Sequence, residues 1–189
     1  MAVPSKYIKS VQKAAKGRPK STDWYRDKIR EFGTPKSLDL IRDGKQAARP
    51  FFGRLNMFIY DPKLKKKLPY YDTFPLVLPL ERYNDGFLGL NFHYLAPKDR
   101  AILMDQLKAF ANNKKYDETT KLILTYQMLK GFSKIKRAKP TVHRYLTNKV
   151  NSKFVLVNAD EWEVALFLPV ERFRKASKKK VWSQSKTMY

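Results

Sequence analysis

The sequence predicts an α+β fold: a small antiparallel sheet with a hairpin, packed by several short helices, with extended basic N- and C-terminal arms. Three observations predict it. Between Met57 and Leu103 the chain carries apolar runs of strand length, rich in β-formers. Asn84-Asp85-Gly86 separates two of these runs with residues that tolerate positive φ. From Pro97 onward apolar side chains recur at helical spacing.

Taken in order, residues 1–30 hold nine Lys or Arg and two acids, and Gly17 and Pro19 interrupt any long helix, so this stretch reads as an arm. Ser21-Thr22-Asp23 caps a helix carrying Trp24, Tyr25, Ile29 and Phe32 that stops at Gly33 and anchors the arm. Ala48 to Gly53 leads into a first strand, Leu55 to Tyr60, which Asp61-Pro62 ends. Phe74 to Leu80 contains Pro75 and Pro79, each lacking a backbone donor, and is expected at a sheet edge. Leu76 to Leu80 pairs with Phe87 to Phe92 across the Asn84-Asp85-Gly86 turn, and Gly89 marks a bulge or a close backbone approach.

Pro97 opens a helix with Ala101, Ile102, Met104, Leu107 and Phe110 at helical spacing, ended by Asn112-Asn113. A second helix starts at Asp117 or Thr119, shows a Leu122, Ile123, Tyr126, Leu129 stripe, and ends near Gly131. Pro140 is read as opening a third, Thr141 to Val150, with Val142, Tyr145, Leu146 and Val150 inward. Phe154 to Val157 is a strand; Asn158 and Glu161 form a capping-box pattern before Trp162, Ala165 and Leu166, and Pro169 stops that helix. Residues 1–35 are thus read as a basic arm with its anchoring helix, 36–173 as one α+β domain, and 174–189 as a basic tail.

The chain has 189 residues, and a chain of that length buries roughly 70% of its unfolded surface as a single domain. Forty Lys and Arg stand against 17 Asp and Glu, a formal net charge of +23. That surplus makes the chain repel itself until a polyanion arrives, and nucleic acid is the expected partner. No cysteine is present, which excludes disulfides and thiolate metal sites. The early lysines precede no apolar run, so no secretory leader is expected, and no run reaches the ~20 residues of a membrane span. The apolar face of residues 7–15 (Tyr7, Ile8, Val11, Ala14, Ala15) is thin for a membrane-surface helix.

Phosphate neutralisation by lysine and arginine is independent of base sequence, so the basic runs are the candidate DNA contacts. They are Lys6, Lys9, Lys13, Lys16, Arg18 and Lys20; Lys65, Lys66 and Lys67; Lys134, Lys136, Arg137, Lys139, Arg144 and Lys149; and Arg174, Lys175, Lys178, Lys179 and Lys180. From Lys130 to Lys153 there are eight basic residues and no acid. One such run alone is an ordinary solvated face; four with few acids between them point to a polyanion. Trp182 stands outside any apolar run and is a candidate for stacking on an unpaired base, as is Tyr189, whereas Tyr70 and Tyr71, also beside a basic run, compete with core packing.

His93 and His143 have no cysteine or paired carboxylate at metal spacing and read as structural or exposed. A nuclease would need Asp61, Asp72, Glu81 and Asp85 gathered around Mg²⁺, and their spacing fits no nuclease signature. No phosphate loop, nucleophile elbow or dinucleotide fingerprint occurs. Neither catalysis nor a metal, a cofactor or a small-molecule substrate is expected.

Tyr60 to Glu81 (YDPKLKKKLPYYDTFPLVLPLE), Asp85 to Leu107 (DGFLGLNFHYLAPKDRAILMDQL), Thr141 to Leu146 (TVHRYL) and Trp162 to Phe173 (WEVALFLPVERF) resemble the DNA end protector proteins of large contractile-tailed bacteriophages. The resemblance spans about residues 50 to 175, through packing and turn residues. It implies a late virion protein at the portal or neck that sits on the end of packaged DNA and shields it from host exonuclease, with no catalytic residues. Three functions follow as expectations. One is a non-enzymatic virion protein that binds DNA ends without reading sequence, located at the head–tail junction or tail and in the host cytoplasm during assembly, beside other virion proteins. The second is a tail, neck or baseplate assembly protein whose basic arms dock on acidic neighbours. The third, allowed by composition alone, is a ribosomal-type RNA binder.

Overall fold

A computed structural model of the chain describes residues 6–15, 21–111, 115, 117–134, 136–158 and 161–187. Three helices come first: α1 (Lys6–Ala15), α2 (Thr22–Phe32) and α3 (Ser37–Asp43). α2 begins where the Ser21 hydroxyl accepts the Trp24 amide at 3.2 Å and stops at Gly33, whose φ of 76° favours glycine. Strands β1 (Lys45–Ala47), β2 (Leu55–Met57) and β3 (Tyr71–Asp72) lead to the hairpin of β4 (Leu76–Tyr83) and β5 (Gly86–Asn91). Helices α4 (Pro97–Ala111) and α5 (Glu118–Lys134) follow, then β6 (Val142–Leu146) and β7 (Phe154–Val157). Helix α6 (Trp162–Phe167), strand β8 (Phe173–Arg174) and helix α7 (Lys178–Thr187) complete the order.

The main sheet is antiparallel, in the order β1-β7-β2-β4-β5-β6, and β3 and β8 pair as a separate ribbon. Leu55, Met57, Leu76, Leu78, Leu90, Val155 and Val157 turn one way and share a core with Ile8, Tyr25, Leu103, Leu107, Trp162 and Leu166 of the helices. The alternate positions Val77, Phe87, Tyr145 and Phe154 turn the other way and pack around Phe58 and Tyr60. Burial on both faces is why these strands read as continuous apolar runs.

The hairpin closes over Asn84 and Asp85, with Tyr83 opposite Gly86. None of Asn84, Asp85 and Gly86 takes the expected positive φ; Gly86 is needed instead because a side chain there would collide with the Tyr145 carbonyl on β6. A bulge falls in β4 between Pro79 and Glu81, with Pro79 opposite Gly89, and a side chain at Gly89 would collide with Val77 Cγ1. The expected edge strand is corrected: β4 lies inside the sheet, between β2 and β5. Its prolines are tolerated there because Pro75 precedes the strand, pairing with β2 ends at Val77, and the bulge interrupts the β5 ladder just after Pro79.

The helix expected over residues 141–150 is also corrected. A 3₁₀ turn (Lys136–Thr141) contains Pro140, Val142–Leu146 is the edge strand β6 on β5, and Thr147–Lys149 is a second 3₁₀ turn. Tyr145 decides the outcome: its ring stacks on Phe87 at 5.3 Å and meets Phe58 edge-on at 5.4 Å, which an extended segment allows. Ile102 and Ile123 are half exposed (52% and 50%), whereas Arg100, Leu103, Met104 and Leu107 of α4 and Leu129 of α5 are buried. α5 runs on through Gly131 to Lys134. β1, too short and polar to show a pattern, is an addition.

Within the described residues of the two basic ends stand helices that pack on the body. Ile8, Val11 and Ala15 of α1 are buried, and the Tyr7 hydroxyl donates to the Gly33 carbonyl at 2.6 Å, tying α1 to the end of α2. In α7 Val181 is fully buried. In α1 the inward positions Ile8, Val11 and Ala15 recur at helical spacing, and in α7 Val181 and Ser185 do, so each helix has one narrow buried stripe between its lysines.

Candidate nucleic-acid interface

Three of the four basic runs converge beside β3, β6 and β8. The amide of Asp61 donates to the Lys149 carbonyl at 3.0 Å, and Tyr60 bridges to Val150, which sets residues 61–68 against the end of β6. Lys175, held at φ 67°, donates through Nζ to the carbonyls of Lys66 and Leu68 at 3.0 and 2.9 Å. β3 pairs with β8 so that Tyr71 stands opposite Arg174. The turn over 62–67 therefore sits between the acid-free segment and the start of the tail. Its Lys63, Lys66 and Lys67 are exposed, as are Lys139 and Arg174, while Lys149 is half-buried.

Not every predicted contact is equally open. Lys65 pairs with Asp61 at 2.7 Å. Arg144 pairs with Asp85 and lies 3.7 Å above the Tyr83 ring. Lys178 reaches Glu171 at 2.7 Å and the Pro169 carbonyl at 3.2 Å. Lys134, Lys179 and Lys180 are exposed, α7 packing against the 136–141 turn. Lys6, Lys9 and Lys13 are exposed on α1, which packs on α2 and α6 rather than at the convergence. Lys16, Arg18, Lys20 and Tyr189, and the side chains of Lys136 and Arg137, lie outside the described residues.

Trp182 is half-buried and lines a separate cleft. Its indole N–H donates to the His93 carbonyl at 2.9 Å, and the Arg100 guanidinium stands 5.8 Å from its ring. Arg100 is buried, pairs with Glu171 at 2.5 Å and donates to the carbonyls of Leu95, Leu166 and His93. Burial alone would raise the Glu171 carboxyl, but Arg100, His93 and Lys178 bring it down to about 2. Asp72 is likewise buried, yet it lies below the usual carboxylate range because His93 Nδ1 stands at 2.6 Å and the Phe74 and Arg172 amides donate to it. These two buried clusters clamp β8 and α7 to the body.

The chain matches, over residues 5–188, the model of the family described as phage T4 terminal DNA protecting protein. It belongs to that family. No curated protein and no solved structure matches it. In this member of the terminal DNA protecting family, the four carboxylates weighed as a nuclease centre are dispersed: Asp61 faces Lys65, Asp85 faces Arg144, Asp72 is buried against His93, and Glu81 is exposed. Among the described residues no group of three or more His, Asp or Glu is placed to hold a metal ion, and no helix is long and apolar enough to cross a membrane.

Sequence reasoning missed the convergence itself. Lys63 belongs to a run whose neighbours in space, Lys149 and Arg174, are distant in the chain, joined to it by long-range contacts such as the Asp61 to Lys149 and Lys175 to Lys66 hydrogen bonds and the β3–β8 pairing.

Proposed function

We propose that this protein binds the end of packaged phage DNA through phosphates, without sequence readout, and shields that end from exonuclease. The observation that carries the reading is the convergence of three acid-poor basic runs at one end of the sheet, in a chain of the terminal DNA protecting family. Cations fixed on a rigid surface meet phosphate at little ordering cost, and phosphate contact is indifferent to base identity. Bound protein denies an exonuclease the terminus by steric cover alone, so no catalytic group is required. The protein acts as a structural component of the virion, at the head–tail junction, alongside other virion proteins.

The test is degradation of a linear duplex by a processive exonuclease with and without the full chain. Protection that fades as salt rises is expected. If the chain leaves the duplex unprotected at low salt yet is incorporated stoichiometrically into tails, it is an assembly subunit docking on acidic neighbours instead.

A further inference from the structure

Beside the converging runs lies a cleft of about 470 Å³ walled by rings: Tyr60, Tyr70, Tyr71, Tyr94, Tyr145 and His143. Tyr70 and Tyr94 stand 6.0 Å apart, Tyr94 and His143 4.2 Å, each pair tilted. Lys63 and Arg144 also line it, and at its edge Leu64 is 55% exposed, an apolar side chain left in water. The volume falls within the roughly 300 to 1,000 Å³ typical of small-ligand sites, which suits one nucleotide and not a paired helix.

We infer that this cleft takes the terminal base of a DNA end, unpaired from its complement and stacked on the half-buried Tyr70 and Tyr71, with the buried Tyr60, Tyr94 and Tyr145 forming the floor, while the surrounding lysines hold the phosphates behind it. The inference rests on the end-binding function proposed above and names how an end is told from the interior of a duplex. Aromatic faces stack on any base, so the grip needs no sequence. Unpairing costs least where a base is already loosened, and a terminal base has a stacking neighbour on one side only. Electrostatics fit the occupant: exposed Lys63, Lys66, Lys67 and Arg174 flank the cleft. His143 forms part of the wall behind Tyr94, hydrogen-bonded to the Pro140 backbone, and burial pushes its ring down to about 4, so the wall there is neutral.

The experiment places 2-aminopurine either at the terminus or at the centre of a linear duplex and follows its fluorescence as the full chain is added. Stacking should quench the terminal probe severalfold and leave the central one unchanged. Tyr70→Ala should abolish the terminal quench and lower the preference for linear over covalently closed circular DNA about tenfold, the scale of one lost base–aromatic stack. Tyr70→Phe, which keeps the ring, should restore both. The wild-type fluorescence is decisive whether or not the alanine variant folds. No terminal quench, or equal quench at the centre, in a protein that still blocks exonuclease overturns the cleft assignment and leaves end protection standing. A wild-type chain that neither blocks exonuclease nor prefers linear DNA overturns both.

Discussion

Glu171 shows how single residues hold this fold. It is 7% exposed, faces Arg100 at 2.5 Å and Lys178 at 2.7 Å, and its carboxyl is held at about 2 rather than 4.5. A depressed carboxylate contributes stability that is complete above its unfolded value and is lost as pH falls through its folded one. The loss therefore runs from about pH 4.5 down to about 2 and amounts to about 3 kcal/mol. Glu171→Gln strands the Arg100 charge, but three backbone carbonyls still accept from that guanidinium. The cost at neutral pH should therefore fall at the lower end of the buried-pair range, about 3 kcal/mol. Denaturant titration across pH checks both statements: the variant should be weaker at pH 7 and show a shallower stability slope between pH 4.5 and 2 than the parent.

Among the elements, α7 separates a packed tail from a solvated one. Val181 has no exposed surface, the Trp182 indole caps the His93 carbonyl, and Lys178 completes the Glu171 pair. A chain ending at Ser177 should lose about 3 kcal/mol of burial and hydrogen bonding, lowering the melting temperature by roughly 10 °C. A tail that only reached for phosphate would leave the melting temperature where it is. The same helix shows what was legible in the sequence. The β4–β5 hairpin and α4 announce themselves because Asn84-Asp85-Gly86 between two apolar runs and Pro97 before a helical stripe are local signals, although the turn forms without a positive φ. β6 does not, because Val-His-Arg-Tyr-Leu after a proline fits either period, and what decides it is Tyr145 against Phe58 and Phe87, residues over fifty positions away. In α1 and α7 the apolar stripe was present but sparse, and the charge around it masked the docking. Of the site, the charge was legible and the convergence was not, since Asp61 to Lys149 and Lys175 to Lys66 are long-range contacts.

For the whole molecule, a net charge of +23 says that a polyanion binds but not how many phosphates it presents at once. On the proposed reading the fold sets that number by bringing Lys63, Lys66, Lys67, Lys139, Lys149 and Arg174 together beside β3, β6 and β8 while the α1 lysines sit elsewhere. If about six phosphates are neutralised there, log affinity should fall with log salt at a slope of about 5, a loss of roughly a thousandfold between 50 and 200 mM. Titration of a fluorescent linear duplex over a salt series measures it. Lys66→Ala with Lys67→Ala should lower the slope by about two and weaken binding equally on duplexes of different sequence. Both side chains stand in water with no carboxylate on them, so their loss leaves the fold intact, and a slope that does not move would place the DNA on another face. A slope well above 5 in the parent, falling also with Lys9→Ala and Lys13→Ala, would mean instead that the duplex extends past the sheet end onto α1, engaging the fourth run as well.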